Sequence, residues 1–315
     1  MKHLILYPLM GLALCTGCTA NLPGEDGTSL HLLSVTLPDD EGTTKAAVST
    51  ISDVNVYLTK SDGSDYSTAD SSFMKFTNAS GSWTPNHEVE LTAARGSAKV
   101  YGCYPADNTI TNDGVMPKIS VTLLDSDDFS GTGQSDYLYA TTSKGTTVAE
   151  ASSTARSVNL QMNHALAKIS FRVSKASGVT EKMTLTAIDI VSRNSRLLKG
   201  DGTMLLNDGT LNAPQTDSLH LKGSIELAVS QTAANVNCLA APMKGAEPSL
   251  SFSLHVKVGD VERVFTTAPV SASVHWEKGK QYTYAIQINK MSGTLTDVSI
   301  NTWQTDASPN TSIGI

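Results

Sequence analysis

Near its N-terminus the sequence places two thiols in the stretch Cys15-Thr16-Gly17-Cys18, at the end of an apolar run that begins at Leu4. A cysteine behind a small residue at the end of such a run is suited to acylation. Its thiol takes up a diacylglyceryl group, and a peptidase that needs small side chains before the cut frees its amino group. Lys2 supplies the positive charge ahead of the run, which only Pro8 interrupts. The run is shorter than the roughly 20 residues that cross a bilayer, so it reads as the core of an export signal. On this reading residues 1–17 are removed, and Cys18 carries lipid and becomes the mature N-terminus. Cys15 stands where Leu is usual, and using it as the anchor would put Leu14 at the cut. An ordinary secretory peptide cleaved elsewhere is the alternative. The tether after Cys18 is polar and has no Asp directly behind the cysteine, which supports sorting to the outer membrane.

The rest of the chain offers little for catalysis. No nucleophile elbow, phosphate loop, dinucleotide fingerprint or His-Glu-x-x-His pair is present. The seven histidines show no helical ligand spacing, and no enzymatic activity and no cofactor are expected. A triad assembled from distant residues stays open on sequence grounds. Carboxylates cluster at Asp39-Asp40-Glu41, Asp62-Gly63-Ser64-Asp65 and Asp125–Asp128. Calcium favours such oxygen ligands, but no Glu closes a 12-residue loop, and solvated turns are the simpler reading. Cys103 and Cys238 each lie in an apolar run. They form either one disulfide or, as preferred here, two buried thiols. Tyr137 with Tyr139, and Tyr282 with Tyr284, share strand faces at i, i+2. Packing accounts for them more simply than a sugar-binding platform. The net charge of −7 and pI near 5.5 argue against nucleic-acid partners.

The elements that position these residues read as β-strands. The chain is rich in Thr, Ser, Val and Ala, and short alternating or β-branched runs recur between Gly- and Asp-containing breaks. Expected strands include Leu30–Leu37, Val54–Thr59, Val89–Leu91, Ala98–Tyr104, Ala167–Val173, Met183–Val191, Leu250–Val258 and Gln281–Ile288. Gly259-Asp260 reads as a tight hairpin turn. No amphipathic helix of more than three turns is evident. From Val158 to Met162 the apolar residues fall on even numbers, and from Ala165 to Val173 on odd ones. A period-2 pattern that changes phase turns a different face to its core. The change marks either a bulge or, as the near-equal halves favour, a strand passing from one domain to the next at Asn163-His164. His164 itself reads as a hydrogen-bonded structural residue. The expected divisions are residues 18–45, an N-terminal β-sandwich over 46–163 and a C-terminal one over 164–315.

Several segments together resemble the fimbrillin family of Bacteroidales. They are the lipobox at Cys18, Val100-Tyr101-Gly102-Cys103-Tyr104-Pro105, Asp136-Tyr137-Leu138-Tyr139-Ala140 and Asn163-His164-Ala165-Leu166-Ala167-Lys168-Ile169. Towards the C-terminus Trp276-Glu277-Lys278-Gly279-Lys280-Gln281-Tyr282-Thr283-Tyr284 and Val298-Ser299-Ile300-Asn301-Thr302-Trp303 continue the match in the family's order.

The resemblance implies an all-β chain of two transthyretin-like β-sandwich domains in tandem. It implies a structural subunit of a surface fimbria, delivered as a lipid-anchored precursor in the outer membrane. A trypsin-like protease then cuts after a basic residue behind the first strand, and a neighbouring fimbrillin subunit fills the opened groove with one of its own strands. Here Lys45-Ala46 matches the basic-residue–Ala junction, with Lys where Arg is commoner. An uncut surface lysine is the alternative. The loop Pro38–Thr44 before it is acidic and Gly-containing, as favoured protease sites are. Residues 295–315 are the expected source of the donor strand. The rival functional reading is a monomeric surface lipoprotein, or a fimbrial tip adhesin, that binds glycans or host ligands.

Overall fold

The computed structural model describes residues 28–37, 51–142, 147–193, 197–243, 250–271, 274–302 and 311–313. The described chain is all-β, with a single four-residue helical turn, α1 (Ala69–Ser72), and one 3-10 turn. The first half contributes β1 (His31–Thr36), β2 (Asp53–Thr59), β3 (Phe73–Ala79), β4 (Ser82–Pro85), β5 (Ala98–Tyr104), β6 (Ile110–Asn112), β7 (Pro117–Leu123), β8 (Ser126–Asp128), β9 (Leu138–Thr141), β10 (Ala149–Ala151) and β11 (Ser157–His164). The second half contributes β12 (Ala167–Lys175), β13 (Met183–Ser192), β14 (Leu197–Leu198), β15 (Gly200–Leu205), β16 (Leu211–Asn212), β17 (Gln215–Thr216), β18 (Ser218–Glu226), β19 (Val236–Ala240), β20 (Leu250–Val258), β21 (Val261–Thr266), β22 (Lys280–Ile288), β23 (Gly293–Thr302) and β24 (Thr311–Ile313).

Three sheets organise the core. One runs β1-β11-β9-β5-β2-β3-β4, with β10 on β5. Two five-stranded sheets, β19-β12-β22-β23-β24 and β21-β20-β13-β18-β8, enclose the second core. There Phe171 stacks on Tyr284 and meets Phe252 edge-on, with all ring centroids within 5.6 Å of one another. Buried Trp276 donates from Nε1 to the Tyr284 hydroxyl at 2.9 Å. The hairpin at Gly259-Asp260 forms as expected, with Val258 opposite Val261. Val89–Leu91 departs from expectation. It is no regular strand, and only Glu90 bridges, to Ser29.

The phase change read from sequence separates two cores. Val158, Leu160 and Met162 on β11 join the first-half cluster, and Ala167, Ile169, Phe171 and Val173 on β12 join the second. Ala165 and Leu166 between them belong to a third cluster with Tyr101, Cys103, Val121, Met204 and Leu239.

The strands β7 and β8 belong to the first half in sequence but hydrogen-bond to the second. β7 pairs antiparallel with β15 over six residue pairs, and β8 pairs parallel with β18. Thr122 Oγ1 donates to Asp201 Oδ1 at 2.8 Å, and Lys199 pairs with Asp125 at 3.1 Å along the same seam. Lys278 reaches the Asp208 carbonyl and sits 5.2 Å over the Tyr139 ring. Gly209 follows at φ +71°, where a side chain would be strained and its Cβ would run into that ring.

Candidate assembly interface

β1 and the residues just before it join the edge of the first-half sheet to the segment 88–91. The leading residues pair with that segment: Leu91 N donates to Thr28 O at 2.8 Å, Leu30 N donates to Val89 O at 3.3 Å, and Ser29 bridges Glu90. From His31 onward β1 pairs in parallel with β11. Ser34 Oγ donates to Asn159 Oδ1 at 2.6 Å on that side. One short strand thus satisfies the backbone groups of two partners that would otherwise present open edges.

Strict alternation would put Leu30 and Leu32 on one face of this strand and Leu33, Val35 and Leu37 on the other. The structure corrects this. The register of β1 on β11 shifts between Leu32 and Ser34. The extra residue, Leu33, is 52% exposed, whereas Leu30 and Leu32 are buried and Val35 and Leu37 pack against the same core. A bulge lets two residues oppose one, so the period-2 phase flips beyond it. All four aliphatic side chains therefore face one core, in company with Val89, Leu91, Val158 and Leu160. Burial of Leu30 and Leu32 is worth about 2 kcal/mol each.

The C-terminal segment also departs from simple alternation. β23 pairs with β22, with a shift at Thr296. Leu295 and Val298, of opposite parity, both lie in the second core. Thr296 Oγ1 donates to Ala285 O at 3.1 Å across the bulge. β24 then adds antiparallel to β23 as the edge strand of its sheet, with Val298 opposite Ile313. Cys18, Lys45, Ala46 and Trp303 lie outside the described residues, as do the carboxylates at Asp39-Asp40-Glu41.

Other residues singled out by sequence are placed by packing. Cys103 and Cys238 are free and fully buried in different clusters, and burial pushes both thiols upward in pKa. His164 Nδ1 lies 2.9 Å from Asp136 Oδ2, with both side chains buried. All four tyrosines of the two pairs are buried. The Tyr282 hydroxyl donates to His275 O and accepts from Glu277 N, and its pKa is pushed up, mainly by burial, to about 12. The Asp62 loop is closed by its own Ser64, whose hydroxyl and amide hold the Asp62 carboxyl below its usual range.

One constellation has no sequence signal, because its members lie on three strands up to 66 residues apart. On the outer face of β13, Asp189 takes His220 Nδ1 on one oxygen and His255 Nε2 on the other, each at 2.8 Å. Ser218 Oγ lies 3.3 Å from His220 Nε2. The Ser–His–Asp connectivity is that of an acyl-transfer triad, but it lies across the solvent face of three flat strands, with the second Asp189 oxygen bound to His255. Ser218 Oγ also lies 3.4 Å from Asp217. The array ties β18, β13 and β20 together on the side away from the core. Among the described residues no group of three or more His, Cys, Asp or Glu has metal-binding geometry.

Known proteins share this architecture. A fimbrial protein from Bacteroides vulgatus superimposes with a TM-score of 0.58 at 15% identity, covering 88% of this chain and 99% of that one. Candidate cell adhesion proteins from Bacteroides uniformis (TM-score 0.55, 16% identity, 88% and 99% covered) and Bacteroides ovatus (0.54, 15%, 88% and 98%) have the same fold. No curated protein matches the sequence. The fimbrillin-like family model matches residues 43–303. That span takes in every strand from β2 to β23 and, with the shared all-β architecture, shows that the chain belongs to the fimbrillin-like family.

Proposed function

We propose that the chain is a structural subunit of a cell-surface fimbria that assembles by exchanging its first strand. On this reading residues 1–17 are lost on export and a lipid on Cys18 holds the precursor in the outer membrane. A trypsin-like protease cuts between Lys45 and Ala46, freeing the segment that contains β1. A strand from a neighbouring subunit then takes the place of β1.

The position of β1 carries this reading. It is a separable strand that lies before the proposed cut, and it seals a seam between β11 and the segment 88–91. Its loss uncovers two rows of backbone hydrogen-bonding groups and the apolar lining formed by Val89, Leu91, Val158 and Leu160. A replacement strand binds such a groove through backbone hydrogen bonds, with alternate side chains in its pockets.

The proposed donor lies within residues 295–315. Leu295 and Val298 belong to the second core, so β23 cannot leave without opening it. The part beyond Thr302 is the better donor, and β24 already forms a ladder at a sheet edge in extended conformation.

The test is the N-terminal sequence of the assembled protein together with unboiled gel ladders from a chain lacking residues 304–315. A free Ala46 and the loss of ladders are expected. A blocked, acylated Cys18 on every subunit of the polymer overturns the processing step. Ladders of unchanged length from the truncated chain overturn the donor assignment.

A further inference from the structure

The array on the outer face of β13 does more than tie three strands together. Ser218 and His220 stand at i, i+2 on β18, so both side chains project from one face. Asp189 lies directly opposite His220 on β13, and His255 reaches the same carboxylate from β20. Ser218 is half-buried and the His220 side chain is 43% exposed, so a molecule from solution can reach both.

The carboxylate decides where His220 carries its proton. Burial opposes ionisation of Asp189, but the hydrogen bonds from His220 and His255 prevail and lower its pKa. An ionised carboxylate only accepts, so His220 Nδ1, 2.8 Å from Asp189 Oδ1, carries the hydrogen between them. Neutral His220 then has its lone pair on Nε2. That nitrogen faces Ser218 Oγ at 3.3 Å. The distance is a little beyond the roughly 2.6–3.2 Å of a formed nucleophile–base contact, as is common before a substrate is bound. The Ser218 hydroxyl thus has a base aligned to take its hydrogen, and the base has a carboxylate that orients it. Asp217 Oδ1 is the competing acceptor, at 3.4 Å. His255 Nε2 holds the second Asp189 oxygen at 2.8 Å, with Glu262 3.9 Å from its other ring nitrogen.

The array lies on an open sheet face, and the hollow beside His220 holds about 10 Å3, the space of about one water. Such a face is not shaped to bind a substrate and turn it over, but a hydroxyl on it can receive a group and keep it. We propose that Ser218 is an acyl-acceptor site, whose hydroxyl takes an acyl group from an activated ester with His220 as its base and Asp189 as the residue that positions that base. Ser218 Oγ bonds to the carbonyl carbon, and the bond from that carbon to the leaving oxygen breaks. The Ser218 proton passes to His220 Nε2 and from there to the leaving oxygen. The products are an O-acyl serine and an alcohol or phenol, with no change of oxidation state.

The test treats the full chain with p-nitrophenyl acetate at neutral pH and maps the acetylated residues by mass spectrometry, with the exposed Ser120 on β7 as the internal reference. Ser218 should gain its acetyl group at least about tenfold faster than Ser120, part of the roughly 10²–10⁴-fold that a positioned general base supplies. His220→Gln and Asp189→Ala should bring Ser218 down to the rate of Ser120, and Asp217→Ala should leave it unchanged. The ring-nitrogen NMR shifts of the parent chain should show His220 as the Nδ1–H tautomer, a reading that needs no variant to fold. Asp189→Ala should remove that preference, which a purely structural contact would not set. Several outcomes overturn the proposal: Ser218 acetylated no faster than Ser120, an unchanged rate in either His220→Gln or Asp189→Ala, loss of the rate in Asp217→Ala, or an Nε2–H tautomer of His220 in the parent.

Discussion

Ser29 and Glu90 form an isolated antiparallel bridge, and two residues later the same stretch of chain pairs in parallel with Ser157 on β11. A single strand therefore joins β11 to the segment 88–91 and covers the apolar side chains of both.

A synthetic peptide of residues 28–37 should bind the chain that begins at Ala46 and block its polymerisation. The same peptide with Leu30 and Leu32 changed to Asp should not, because both side chains enter the core. Polymerisation followed by light scattering checks this. Equal inhibition by both peptides would show that the pockets do not set the fit. In the intact precursor Leu32→Ala should cost about 2–5 kcal/mol of unfolding free energy, the usual range for a buried Leu truncation.

The two halves should unfold together. β7 and β8 lend backbone ladders to the second half, and one apolar cluster draws on both. In the parent chain the amide signals of β5 and of β20 should be lost at one urea midpoint. Two transitions with separate midpoints would show that the ladders do not couple the halves.

The bulge threonines should be worth more than their exposure suggests. Thr186 Oγ1 donates to His255 O and Thr296 Oγ1 to Ala285 O, both at 3.1 Å, and each sits where the register shifts. Thr296→Val keeps the shape and removes the hydroxyl. A loss of about 0.5–1.5 kcal/mol is expected by urea denaturation. Thr294→Val, at an exposed position of the same strand, serves as the control and should change stability by less than about 0.5 kcal/mol.

The Asp189 array predicts a pH dependence of definite sign. Burial opposes ionisation of Asp189, but the hydrogen bonds from His220 and His255 prevail and hold its carboxyl below the usual range. A carboxyl depressed in the folded state contributes stability that is present above its unfolded pKa of about 3.9 and is lost as pH falls through the folded value. Tm should therefore drop more steeply below about pH 4 in the parent than in Asp189→Asn. Parallel acid limbs for the two proteins, measured by calorimetry, would contradict the role given to the array.

Much of this molecule was legible without coordinates. Alternating β-branched runs separated by Gly- and Asp-containing turns specify strands, because period 2 with frequent breaks can bury one face of a sheet and little else. The spans of β5 and β20 fall on the expected residues, 98–104 and 250–258. The even-to-odd change around Asn163 located where one apolar core gives way to another, since a residue's parity decides which face it presents. Tertiary structure decided what parity alone misstates. At Leu33 against β11, Thr186 against β20 and Thr296 against β22 one extra residue flips the phase, so side chains of opposite parity share a core. A phase change in the sequence does not by itself identify these as bulges, because a bulge exists only relative to a partner strand. The same holds for β7 against β15 and for Asp189 between two histidines. Each depends on which distant strand lies alongside, and that choice is made by the packing of whole sheets rather than by any local run of residues.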